Sequence, residues 1–131
     1  MPILYNYSPD DNLVIFQHVG DVPDDEFLSS YEEFFKNPCL SENIDILVDL
    51  EKTSSSQRSS GALRLLAKFL HAKFVDSAVR RKVAVVAPKH LSFGLARMYE
   101  AFSDLVPWEF IVFRDREAAQ AWLAVPQNLK R

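Results

Sequence analysis

Two runs near the start of the chain, "ILYNY" and "NLVIFQHV", carry aromatic and β-branched residues of the kind that fit strands. The "SPDDN" between them holds the Pro and Asp that favour a turn. An antiparallel hairpin is expected there. In "GDVPDDEFLSSYEEFFKNP" the period changes: Phe27, Leu28, Tyr31, Phe34 and Phe35 recur at i, i+1, i+4, i+7 and i+8, one face of a helix. Asp24, Asp25 and Glu26 fall in its first turn, where negative charge complements the helix dipole, and Pro38 is expected to stop it.

"DILVDL" and "RKVAVVAP" are nearly continuous apolar runs, as expected of strands covered on both sides, the second closed by Pro88. Between them "VDLEKTSSSQRSSGALRLLAKFL" passes from strand through a link over residues 51–57 into an amphipathic helix. Leu63, Leu66, Phe69 and Leu70 lie opposite a basic stripe of Arg64, Lys68 and His71. Strand, helix and buried strand make a crossover with parallel strands. After Pro88, "HLSFGLARMYEAFSDL" offers Ser92 as an N-cap and sets Leu95, Met98, Tyr99 and Phe102 on one face of a further helix. "WEFIVF" reads as the last strand and "RDREAAQAWL" as the last helix, capped by Asp115, with Ala118, Ala119, Trp122 and Leu123 facing inward.

The expected fold is a single α/β domain. Its mixed sheet has about five strands, an N-terminal antiparallel hairpin followed by parallel strands, with about four helices. The domain is expected over residues 1–125, with residues 126–131 a frayed tail. The 131 residues, 48% of them hydrophobic, suit one core. No apolar run approaches the roughly 20 residues of a membrane span. The segment after Met1 has neither a basic nor an apolar leader region, so a cytoplasmic protein is expected. Cys39 is the sole cysteine, and His18, His71 and His90 lack zinc-ligand spacing; neither a metal nor another cofactor is expected.

The net charge of −3 conceals a polarity. Residues 1–51 carry twelve acids against Lys36 alone, and residues 52–131 carry fourteen Lys and Arg against six acids. Such a division can draw two copies into a homodimer or an anionic partner to one side, unless folding intermixes the charges. Arg80, Arg81 and Lys82 would extend the basic stripe toward an acidic partner. A pI near 5.6, with no RNP-like strand or zinc finger, argues against nucleic acid.

The "VDL" strand leading into "RSSGAL" resembles the STAS domain, the family of anti-sigma-factor antagonists and sulphate-transporter cytoplasmic tails, over nearly the whole chain. More narrowly, "GDVPDDEF", "ILVDL", "VAVVAP", "FGLARMYEAF" and "VFRDREAAQAWL" resemble the bacterial SpoIIAA-like group, whose fold is similar to the CRAL-TRIO lipid carriers. A non-enzymatic domain is expected. In the antagonists an Asp-Ser-Ser-Gly sequence opens the helix and its first serine is the phosphorylation switch. Carried onto this chain, that serine is Ser59, followed by Ser60 and Gly61, with Arg58 standing where the family keeps the aspartate.

Two functional readings follow. In the first, a regulatory or protein-interaction domain uses the helix start: backbone N–H groups and the positive dipole end, with Arg58 beside them, face an anion or a phosphate on Ser59. The plainer reading is that Ser59 or Ser60 only caps the helix. In the second, some of the ten phenylalanines and two tryptophans line a pocket between helices and sheet for a lipid-like or other apolar small molecule. Phe93, Arg97, Met98, Tyr99, Phe102 and Tyr31 are the candidate lining, with Arg97 able to meet a ligand carboxylate or to pair with Glu100. There is no Walker A loop and no "GxSxG" elbow. A set of Ser59, a histidine and Asp49 can be drawn, but no spacing puts a histidine within its reach, and no catalytic residue is assigned.

Overall fold

The computed structural model describes residues 3–36, 44–53, 60–74, 81–87 and 108–125. Its five strands are β1 (Ile3–Ser8), β2 (Leu13–Gly20), β3 (Asp45–Thr53), β4 (Lys82–Val86) and β5 (Glu109–Phe113), in the spatial order β1-β2-β3-β4-β5. β1 and β2 pair antiparallel, and β2, β3, β4 and β5 pair parallel, as the pattern of apolar runs implies. Three helices lie among the described residues: α1 (Asp24–Phe35), α2 (Ser60–Phe74) and α3 (Arg116–Leu123). The helix expected over "HLSFGLARMYEAFSDL" falls outside the described residues.

The hairpin turn closes through Asn12, whose N–H donates to Pro9 O at 3.2 Å with φ at +51°, a left-handed conformation that asparagine tolerates. Gly20 ends β2 at φ +68°; nothing lies within 4 Å of where a Cβ would stand, so backbone conformation alone requires glycine. β3 extends beyond "DILVDL". Glu51, Lys52 and Thr53, read from the sequence as link, continue the strand because β2 is long enough to pair with Lys52 and Thr53 after a register shift between Gln17 and Val19. Thr53 Oγ1 also donates to Gly20 O at 2.8 Å.

Strand alternation divides the core. Val14 and Phe16 of β2, Ile46, Val48 and Leu50 of β3, and Val83 and Val85 of β4 point to one face, where they pack under α1 and α2. Leu47, Ala84 and Val86 point to the other, under Ala119 of α3, with Leu13, Ile15, Phe113, Trp122 and Leu123 around them. Ala118, expected inward, is exposed; in so short a helix the buried stripe is narrow and Ala119 fills it.

A second correction concerns the basic run. Arg81 and Lys82 are buried, not surface residues for an acidic partner. Lys82 Nζ donates to Trp122 O at 2.8 Å, in the last turn of α3, and to Val125 O just beyond the helix, and it sits 5.2 Å from the centre of the Trp122 ring. The Arg81 guanidinium lies over Trp108 at 4.3 Å and against Phe74 and Phe35 at 5.4 and 5.6 Å. Aromatic faces accept a weakly hydrated guanidinium, which is why the cation can leave the surface. Arg80 lies outside the described residues.

Candidate functional site

Between α1, α2 and the sheet lies a cavity of about 30 Å³ with almost wholly apolar walls. Tyr31 and Phe35 come from α1, Leu66 and Leu70 from α2, and Val48, Val83 and Phe110 from three parallel strands, with Trp108 leading into β5. The helical spacing that puts Phe27, Tyr31, Phe34 and Phe35 on one face of α1 places its aromatic side here, and β-strand alternation brings Val48, Val83 and Phe110 to the same face of the sheet. The space equals that of about two water molecules. Apolar walls give water few partners there.

Behind Tyr31 stands His18, fully buried on β2, with Nε2 at 2.9 Å from Tyr31 Oη. Phe16 stacks at 4.5 Å from the Tyr31 ring centre and Phe27 at 5.2 Å, so the position of the tyrosine is set by packing on both sides. On the opposite wall Trp108 packs against Phe35 at 5.7 Å and Phe74 at 5.3 Å. Its Nε1 is buried and has no hydrogen-bond partner among the described residues.

Of the pocket residues expected from the sequence, Tyr31 lines this cavity. Phe93, Arg97, Met98, Tyr99 and Phe102 lie outside the described residues, as do Arg58 and Ser59. Ser60 and Gly61 open α2, whose first turn carries no acidic side chain. Arg64, Lys68 and His71 are exposed along its outer side, as the helical periodicity implies. Sequence reasoning did not single out Trp108, Phe110, Leu66, Leu70 or Val83 as cavity lining. Their apolar character marked them as core, and which core residues border a gap depends on how three layers of side chains fit.

The structure separates the histidine and carboxylate of the imagined catalytic set. Asp49 pairs with Gln17 across β2 and β3, so it shares the face opposite His18. There its Oδ2 accepts from Arg116 Nη1 at 3.1 Å and its Oδ1 from Glu51 N at 2.9 Å. Both carboxylate oxygens are engaged, and the side chain is 1% exposed. Among the described residues no group of three or more His, Cys, Asp and Glu could hold a metal ion, and no helix is long and apolar enough to cross a membrane.

Comparison with known proteins adds a family and a fold. No curated protein matches the chain. Among solved structures, it is similar to the crystal structure of an uncharacterized protein with a SpoIIAA-like fold from Shewanella loihica PV-4, at 21% identity and a TM-score of 0.59, over 92% of this chain and 91% of that one. The family model described as SpoIIAA-like matches residues 13–124. Strands β2 to β5, both described crossovers and α3 fall within that match, and the chain belongs to the SpoIIAA-like family.

Proposed function

We propose that this domain is a non-catalytic binding module, and that it takes a small apolar molecule, or the end of a lipid-like one, in the cavity between α1, α2 and the sheet. The observation that carries the reading is the gap itself: close-packed cores leave few voids larger than water, and this one is walled by side chains from two helices and three strands. At about 30 Å³ it admits a chain end or the edge of a ring.

Native mass spectrometry of freshly purified protein tests this. A co-purified small molecule is expected; an apo mass alone, across several preparations, refutes the reading. Val83→Phe gives the companion measurement, because it fills the cavity from β4 at a cost of about 1–3 kcal/mol of overpacking. The adduct is expected to disappear while the far-UV spectrum persists. Trp108 supplies an optical readout, since it borders the cavity while Trp122 is borne on α3, on the other face of the sheet.

A second reading rests on α2, whose first turn carries no acidic residue to offset the positive dipole end and whose Gly61 is exposed. Here the domain is regulatory, with Ser59 as the switch and Arg58 favouring an anion beside it. Ser59→Asp is then expected to change the set of proteins bound from cell extract with the fold intact; identical sets for both forms refute it.

A further inference from the structure

The edge strand β1 carries no device against pairing. Sheet edges are ordinarily blunted by charge, proline or a bulge, because their outer N–H and C=O groups form a template for another strand. β1 reads "ILYNYS", six residues without a charge or a proline, paired with β2 without a register break. Among the described residues nothing pairs with its outer edge. Leu4 and Tyr5 are 50% and 58% exposed.

We infer that β1 pairs with β1 of a second copy, antiparallel about a two-fold axis at Tyr5, joining two five-stranded sheets into one of ten strands. Residues directly opposed in an antiparallel pair share a face, so this axis sets Tyr5 against the partner's Tyr5, Ile3 against the partner's Tyr7 and Leu4 against the partner's Asn6. Ile3, Tyr5 and Tyr7 lie on the face of α1, opposite His18, Phe16 and Val14, and Tyr5 already contacts Phe16 and Phe34 at 5.8 and 5.4 Å between ring centres. The pairing therefore continues the aromatic row of each core across the junction and covers the exposed tyrosine from both sides. A second copy is the occupant that this register favours, because the same strand supplies both halves. Joining β1 to the other edge, β5, would not close and would build filaments. One strand pair buries less than the roughly 800 Å² per partner of a standard interface, so the dimer is expected to depend on concentration.

Sedimentation of the full chain over a concentration series should show monomer passing to dimer, insensitive to salt. Tyr5→Lys, which opposes two cations at the axis, should abolish the dimer. In a Cys39→Ser background, Tyr5→Cys should cross-link on mild oxidation, while Leu4→Cys, which never faces itself, should not. The inference is overturned by a monomer at every concentration, by filaments, by a dimer that survives Tyr5→Lys or dissolves in salt as charge-driven pairing would, or by equal cross-linking at both positions.

Discussion

Asp45 shows how one side chain can be structurally used and electrostatically costly at once. It opens β3, and its Oδ1 accepts from the N–H of Lys82 at 2.9 Å, tying β3 to the start of β4. Burial raises its pKa above the ordinary 3.8; the Lys82 N–H bond and the charges of Lys82 and Arg81 pull the other way without cancelling it, and Glu109 adds to the rise. With the folded value above the unfolded one, the native state binds the proton more tightly. The carboxyl's contribution to stability is then full below about 3.8 and is lost as pH rises through the raised value. Asp45→Asn keeps an acceptor for the Lys82 N–H and removes the titration. Urea unfolding of both forms at neutral pH and near pH 4 should show wild type gaining stability relative to the variant on acidification; a difference independent of pH refutes this. At this scale the sequence was least legible. The basic letters of "RRK" suggest surface, and the aromatic bed under Arg81 and the helix end over Lys82 come mainly from Phe35, Trp108 and Trp122, distant in the chain.

The helices differ in how they begin and end. α1 starts at Pro23 without a side-chain cap and gains from three acids in its first turn; it also buries Phe27, Tyr31, Phe34 and Phe35. α3 has eight residues, too few to hold without fixed ends and packing. Asp115, in extended conformation, accepts from Ala118 N at 2.8 Å at one end, and Lys82 serves the other. Asp115→Ala is expected to cost about 1 kcal/mol and Asp115→Ser to recover most of it, read from urea midpoints at unchanged slope; an unchanged midpoint for Asp115→Ala would remove the cap from this account. Elements of this kind were legible because their causes are local: periodicity for α1, a cap for α3, continuous apolar runs for β3 and β4. The end of β3 was not, since what extends it to Thr53 is the length of β2, a pairing partner in another part of the chain.

At the scale of the whole molecule, the two faces of the sheet are unequally filled by the described residues. Among the described residues the face under α1 and α2 holds most of the buried apolar side chains, including Phe16, Phe27 and Leu66, whereas the buried apolar set on the α3 face is Leu47, Ala84, Val86 and Ala119. Two of those four are alanines, which bury little area, and apolar burial is the main source of stability. What adds to it is polar: the Arg116–Asp49 pair from the first residue of α3 to β3, and Lys82 at the Trp122 carbonyl in its last turn and the Val125 carbonyl just beyond. Regions with few buried apolar contacts open below the global unfolding free energy, so α3 should exchange its amide hydrogens through local opening while β3 and β4 exchange only on global unfolding. Arg116→Ala leaves the Asp49 charge buried with Glu51 N as its remaining donor, a loss on the order of 1–3 kcal/mol. That loss should appear as faster exchange in α3, with a smaller fall in the protection of Val48 and Val85. Hydrogen exchange followed by mass spectrometry decides the matter. If α3 and the central strands exchange at one common free energy in the wild type, and Arg116→Ala lowers both equally, then the two faces unfold as a single unit and the small core under α3 is as well secured as the large one.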